Sequence, residues 1–262
     1  EAFLYNGPVT MGSHPPFTNQ YISPHLLLCV IRMYMWISSL RFLNSFWSSS
    51  SRGEIAEDLL RGFEEISRES LLTRTYLPLR GGIDLIVWLA SESLSPISRL
   101  RILLRSSFGQ HVEEIHTFLT IYRASPYLAH HQDLRENIIR ASKEPLRYLI
   151  AYPMKKSPEW YLLPFKERVE IMAEHASMAR SLSSGKKIRS YTTYSYGIDD
   201  NEFLVIYEVE DLAEWSVIVE RLREARHRKW IVREEPLLVG ELLEDIRSYI
   251  GGRSTASPKL DQ

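Results

Sequence analysis

One histidine, His175, has neighbours that suit a buried metal ligand as well as a core residue. It lies in the stretch EIMAEHASMARSL, and the residues at helical spacing from it are all apolar: Ile171, Met172, Met178, Ala179 and Leu182. We therefore expect this helix face to be buried. A histidine there is either a hydrogen-bonded core residue or an axial ligand of a metal or haem. Its other ring nitrogen needs an acceptor, for which Glu224 is the candidate.

A second pair of candidates, Tyr152 and Lys156, stands where a predicted strand passes into a loop. At such an end, a phenol and an ammonium group could both reach the mouth of a pocket. The alternative is a packed tyrosine beside lysines that remain in water, because lysine is rarely buried. The pattern alone leaves both interpretations open.

Other common catalytic signatures are absent from the sequence. It contains no HExxH, GxGxxG, phosphate-binding loop or GxSxG motif. The single cysteine, Cys29, lies in an apolar stretch, where a thiol stays neutral and unreactive. One cysteine forms neither an intrachain disulfide nor a cysteine-based zinc site, which fits a reducing, cytoplasmic compartment.

Composition excludes two further classes of protein. The 262 residues carry 32 basic and 33 acidic side chains, a formal net charge of −1, so we expect no nucleic-acid partner. The most apolar stretch runs from Leu26 to Phe46, but Arg32 and Arg41 interrupt it. Because a charged residue is costly in the bilayer centre, we expect no membrane span.

The elements that position these residues follow a β-α-β-β-α-β order twice. In the first half, apolar patterning and turn residues predict strands and helices at 26–36, 54–66, 72–79, 83–90, 95–108 and 112–122. In the second half they predict them at 148–154, 164–182, 187–196, 202–210 and 212–230, with a last strand opening at 236–239.

This order predicts an α+β fold of two tandem ferredoxin-like βαββαβ units that form a dimeric-type α+β barrel. We expect an N-terminal arm (1–25), a first half (26–125), a linker (126–146), a second half (147–250) and a disordered tail (251–262). In such a barrel, the gap between a sheet and its outer helices is a natural pocket for a flat apolar ligand.

Several motifs of the second half occur together in one known family. They are YPMKK (152–156), WYLLP (160–164), ER (167–168), MAEH (172–175) and GIDD (197–200). Over about 147–240 the chain resembles the chlorite dismutase superfamily, and within it the coproheme decarboxylases. The resemblance is weaker over 54–122. It implies the same double ferredoxin-like barrel, with haem and its iron held in the second half.

The resemblance also implies roles for individual residues. His175 matches the proximal iron ligand, and Glu224 lies near the acid that hydrogen-bonds it. Tyr152 matches a tyrosine that relays a radical, and Lys156 matches a lysine near a reacting propionate. Trp160 and Met172 fall in motifs around the haem. The implied reaction is the decarboxylation of coproheme to haem b by hydrogen peroxide, in a cytoplasmic homo-pentamer that takes part in haem biosynthesis.

One position separates this reaction from its alternatives. Chlorite dismutases carry an arginine on the distal strand, and many decarboxylases carry a glutamine there. Gapless alignment puts Ser190 at that position, with Arg189 adjacent. Successive strand residues face opposite ways, so only one of the two lines the pocket. A chlorite dismutase or weak haem peroxidase would need Arg189 there. A non-catalytic haem-binding protein would need neither residue.

Overall fold

A computed structural model represents the protein and describes residues 33–127 and 133–251. The predictions for the N-terminal arm, for Cys29 and for the tail from 252 onward lie outside these residues.

The first half follows the predicted element order. Its strands and helices are β1 (Met33–Phe42), α1 (Asn44–Trp47), α2 (Arg52–Arg68), β2 (Leu72–Pro78), β3 (Leu85–Ser91), α3 (Ser95–Ser106) and β4 (Val112–Tyr122). The first strand runs six residues beyond its predicted end at Trp36. Ser38 and Ser39 do not end it, because each is buried and bonded to β4. The hydroxyl of Ser38 contacts that of Thr117 at 3.3 Å, and that of Ser39 accepts from the amide of His116 at 3.1 Å.

The second half repeats this order after a helix that the sequence did not predict. Its elements are α4 (Leu134–Lys143), β5 (Tyr148–Lys156), α5 (Pro158–Leu162), α6 (Phe165–Ser183), β6 (Ile188–Tyr194), β7 (Phe203–Val209), α7 (Leu212–Leu222), a 3₁₀ helix (Arg226–Trp230), β8 (Ile231–Arg233), β9 (Leu238–Leu242) and α8 (Ile246–Gly251). The single helix predicted over 212–230 is therefore two pieces, α7 and the 3₁₀ helix.

Eight of these strands close into one ring, which confirms the predicted barrel. Their order is β7-β6-β4-β1-β3-β2-β9-β5, and β5 pairs with β7 to complete the circle. The ring joins the halves at two places, where β4 meets β6 and where β2 meets β9. A closed sheet has no free strand edges, so every strand is held on both sides.

The interior of the barrel is apolar and receives side chains from both halves. Trp88 and Tyr191, one from each half, pack edge to face with ring centroids 5.3 Å apart. A second apolar cluster lies between the first-half sheet and α2 and α3. On the outer face of the second-half sheet, Trp215 of α7 packs on Tyr207 of β7, and α6 packs against α7.

The segment predicted as a linker (126–146) is not one throughout. Its helix α4 begins at an N-cap, Asp133, whose carboxylate accepts from the amide of Glu136 at 2.9 Å. Leu134, Ile138 and Ala141 are buried in the barrel core. The apolar residues recur at helical spacing, so this part of the chain packs against the barrel rather than bridging the halves through solvent.

Within the two described ranges, no helix is both long and apolar enough to cross a bilayer.

Candidate functional site

The outer face of β5, β6 and β7 brings three polar side chains together. Ser190 pairs across the strands with Tyr207, and Tyr152 lies on the next strand with its ring 6.2 Å from that of Tyr207. Tyr207 also packs on Trp215 of α7, at 4.2 Å between ring centroids. Burial raises the pKa of the Tyr152 phenol, and burial with the adjacent Tyr152 raises that of Tyr207 further. Both phenols therefore keep their protons at neutral pH.

The register of β6 decides between Arg189 and Ser190. Ser190 is exposed on the helix-facing side, whereas Arg189 lies on the barrel side with Tyr191. There the guanidinium of Arg189 donates to the carboxylate of Glu208 at 3.2 Å, and the phenol of Tyr191 donates to the same oxygen at 2.8 Å. Glu208 is fully buried, so this arginine neutralises a core carboxylate. Arg189 does not line the pocket face.

Lys156 is buried, with only 4% of its surface exposed. Its ammonium nitrogen lies 3.3 Å from the ring centroid of Trp160 and 3.7 Å from the sulfur of Met172. The nearby carboxylate of Glu202 is already engaged, because it accepts from the Lys156 backbone amide at 2.9 Å and from the phenol of Tyr161 at 2.5 Å. Burial lowers the pKa of the Lys156 ammonium to about 7. The interpretation of this residue as an exposed lysine is therefore wrong.

His175 lies on α6 and packs against a second histidine, His227. The ring centroids are 4.0 Å apart with a tilt of 50°. The Nδ1 atom of each ring is buried and has no hydrogen-bond partner among the described residues. Burial, together with the cations of Lys156 and Arg228, lowers the pKa of His175 below its usual value. Burial lowers the pKa of His227 to about 3, so its imidazole is neutral at pH 7.

The apolar face around His175 is less buried than the sequence predicts. Of its helical neighbours only Ile171 is fully buried, and Met172, Met178 and Ala179 are half-buried. The prediction that Glu224 accepts a hydrogen bond from His175 is wrong for this structure. This glutamate follows the end of α7, its side chain is 59% exposed, and it accepts from Arg221 at 2.9 Å. The chain turns after α7, which directs this carboxylate away from α6.

A cavity of about 1290 Å³ lies between α7, β5 and the 231–239 segment, and its lining includes Tyr152 but not His175, Lys156 or Ser190. Trp215 is also part of its wall, which carries four arginines (Arg80, Arg223, Arg228 and Arg233) and three glutamates (Glu220, Glu234 and Glu235). Arg223 and Arg228 share the carboxylate of Glu234, at 2.7 and 2.5 Å. Arg228, which follows His227 in the sequence, is in the wall, although neither His175 nor His227 lines the cavity. The volume suits a flat organic ligand, and the wall carries charges of both signs.

Sequence reasoning missed three residues of this site: His227, Tyr207 and Arg228. His227 lies in the short 3₁₀ helix, where no helical periodicity distinguishes a buried position from an exposed one. Tyr207 had a usable signal, because it alternates with Phe203 and Val205 along β7 and so faces the same side. Among the described residues, no group of three or more His, Cys, Asp or Glu side chains could hold a metal ion.

Comparison with known proteins agrees with this architecture. The family model described as chlorite dismutase matches residues 52–243. The coproheme decarboxylase of Mycolicibacterium smegmatis is 24% identical over 164 residues, which cover 62% of this chain and 68% of that protein. The coproheme decarboxylase of Staphylococcus carnosus is 26% identical over 152 residues, covering 53% and 60%. The chain thus spans about two thirds or less of the lengths of these curated relatives.

A solved structure named for chlorite dismutase is 37% identical, with a TM-score of 0.76, and the match covers 84% of this chain and 98% of that one. It shares both the fold and a substantial part of the sequence. Because the family model covers most of the residues between the first helix and the last strand, the chain belongs to the chlorite dismutase family.

Proposed function

We propose that the chain binds an iron porphyrin through His175 and uses hydrogen peroxide to decarboxylate coproheme to haem b. The observation that carries this proposal is the ammonium of Lys156, which is buried against Trp160 and forms no ion pair with a carboxylate in the described part of the chain. A buried cation calls for an anionic ligand. The two curated relatives named coproheme decarboxylase support a substrate with carboxylates. Cytoplasmic location and a homo-pentamer stay predictions.

The residues present fit a porphyrin. The buried Nδ1 of His175 has no hydrogen-bond partner within 33–127 and 133–251, so no such bond prevents the ring from turning its other nitrogen toward a ligand. The half-buried Met172 and Met178 offer an apolar surface next to it. The buried Lys156 would supply positive charge for a carboxylate, and Arg223 and Arg228, which share Glu234, line the neighbouring cavity. His175 would hold the iron, which when bound supplies the reaction with hydrogen peroxide.

Lys156 would bind and orient a propionate. In the free protein, burial leaves its amine close to half-protonated at neutral pH. A carboxylate placed beside it would favour the ammonium form and raise its pKa again. The same side chain could then return a proton during the reaction. Trp160, only 1% exposed, would hold the lysine stem in place beneath the ligand.

Tyr152 would transfer the oxidising equivalents. Its raised pKa keeps the phenolic hydrogen on the oxygen, so the phenol can lose a hydrogen atom and later take one from a propionate side chain. For each propionate, one hydrogen peroxide and one proton are consumed, and the products are a vinyl group, carbon dioxide and two water molecules. The carbon side chain loses two electrons, and the peroxide gains them.

The chlorite dismutase alternative loses its main support. That reaction needs a cation on the distal strand to hold an anionic product near the iron. Arg189 lies on the opposite face of β6 and is paired with Glu208, and Ser190 has no charge. The sequence leaves a non-catalytic haem-binding protein as the other alternative, and the experiment below distinguishes the three.

The test mixes purified apoprotein with ferric coproheme and titrates hydrogen peroxide. We expect stepwise loss of two carboxyl groups by mass spectrometry. Oxygen release from chlorite would favour the dismutase instead, and a haem spectrum with neither reaction would favour the non-catalytic protein. The Tyr152→Phe variant should keep the spectrum and lose decarboxylation. Tyr148→Phe, on the same strand, is the matched control and should react as the wild type does.

A further inference from the structure

Among the residues that the structure describes, no carboxylate near His175 is free to accept its Nδ1–H. Glu224 lies in solvent on Arg221. The carboxylate nearest in sequence, Glu174, is taken up by Arg226, through the backbone amide at 3.1 Å and through an ion pair with Nε. The other charged groups that act on His175 are the cations Lys156 and Arg228. The described residues thus provide no acid for this imidazole.

His227 is a buried polar side chain that packs directly on the ring of His175. Its side chain is 7% exposed, and its ring lies 4.0 Å from that of His175. The Nδ1 atoms of both rings are sealed from water without partners. A buried ring nitrogen without a hydrogen bond is costly. Because the χ2 torsion of histidine is broad, rotation of either ring could bring the two nitrogens into a hydrogen bond.

The backbone holds the two rings in this position from both ends of the 3₁₀ helix. At its start, Arg226 is bound to Glu174, so two consecutive residues of α6 face two consecutive residues of the 3₁₀ helix. At its end, the Trp230 ring packs on Trp160 at 5.4 Å, and the Trp230 carbonyl accepts from the amide of Ser157 at 2.7 Å. His227 is therefore held against His175 rather than placed there by a mobile loop.

We propose that His227 is the positioning residue for His175 and accepts its Nδ1–H when the other nitrogen binds iron. This inference rests on the iron-binding part of the proposed function and not on decarboxylation. A neutral imidazole accepts a hydrogen bond more weakly than a carboxylate does. It therefore leaves less negative charge on the ligand and favours ferric iron less.

The test measures ferrous protein loaded with haem b by resonance Raman spectroscopy, together with its reduction potential. His227→Glu should raise the iron–histidine stretching frequency and lower the potential, because a carboxylate acceptor strengthens the ligand. His227→Leu should move the frequency down and weaken ferric haem binding about 10- to 100-fold. His227→Gln, whose amide oxygen can accept, should stay near the wild type.

The control is a histidine variant outside this pair, and the second measurement is the tautomer state of His175 in the apoprotein. His116→Leu, on β4, removes a histidine far along the chain from this pair and should leave the frequency and the potential unchanged. In the apoprotein, nitrogen-15 NMR should show that the tautomer balance of His175 changes in His227→Leu. The proposal is overturned if the Glu and Leu variants match the wild type in frequency and potential, or if wild-type protein binds no haem. A wild type that binds haem but leaves coproheme intact refutes only the decarboxylase.

Discussion

The buried Lys156 makes the free protein more stable as the pH rises above neutrality. Its side chain is 4% exposed, and burial, aided by the charge of Arg168 and opposed by Glu202, lowers its pKa from 10.5 to about 7. In the unfolded chain the amine regains its ordinary value. Between these two values the unfolded state binds a proton that the folded state has released.

This difference in proton binding sets the direction and the size of the change in the free energy of unfolding with pH. Below pH 7 both states are protonated, and the folded state bears the whole cost of burying the ammonium. From about pH 7 to 10.5 that cost is relieved, so the free energy of unfolding rises with pH. One pKa unit corresponds to about 1.4 kcal/mol, so the shift is worth about 3–5 kcal/mol in all, and about 2 kcal/mol between pH 7 and 9.

The assay is urea unfolding of the apoprotein at pH 7, 8 and 9. Lys156→Met keeps the length and the apolar stem but carries no charge, so its stability should not show this rise. It should exceed the wild type most at pH 7 and least at pH 9. Lys155→Met, whose side chain is exposed, is the control and should follow the wild type. Parallel pH curves for wild type and Lys156→Met would refute the reasoning.

Other expected outcomes concern the ligand and the core. His175→Ala should weaken ferric coproheme binding at least tenfold and alter its absorption spectrum while circular dichroism is unchanged, and an unaltered spectrum would contradict the ligand role. Coproheme binding at pH 8.5 should take up about one proton in the wild type and fewer in Lys156→Met, because a bound carboxylate favours the charged form of the amine. Calorimetry in two buffers of different ionisation enthalpy measures this proton uptake. Glu208→Leu should lower the free energy of unfolding by about 3–5 kcal/mol, because Arg189 and Tyr191 lose their acceptor in the core. Urea unfolding checks this, and a loss below about 1 kcal/mol would show that the buried network contributes little.

The sequence predicted the order of the strands and helices because each one depends on the pattern of apolar residues within its own short segment. Alternating apolar residues mark the strands, and helical spacing marks α2, α3 and α6. The closed ring followed from two βαββαβ units in tandem. The exceptions include α4, which lies in the segment predicted as a linker, and the helix predicted over 212–230, which is two pieces.

The tertiary structure decided which side chains meet, because those contacts join distant parts of the chain. A single residue of register turns Arg189 toward Glu208 and Ser190 toward the helices. After α7 the chain leaves Glu224 in solvent and brings His227 against His175, which lies 52 positions earlier. The adjacent pair, Glu174 and Arg226, is hydrogen-bonded as well. The burial of Lys156 is of the same kind. The sequence places a lysine at the end of a strand, and only the packing of Trp160 and Met172 over it shields the amine from water.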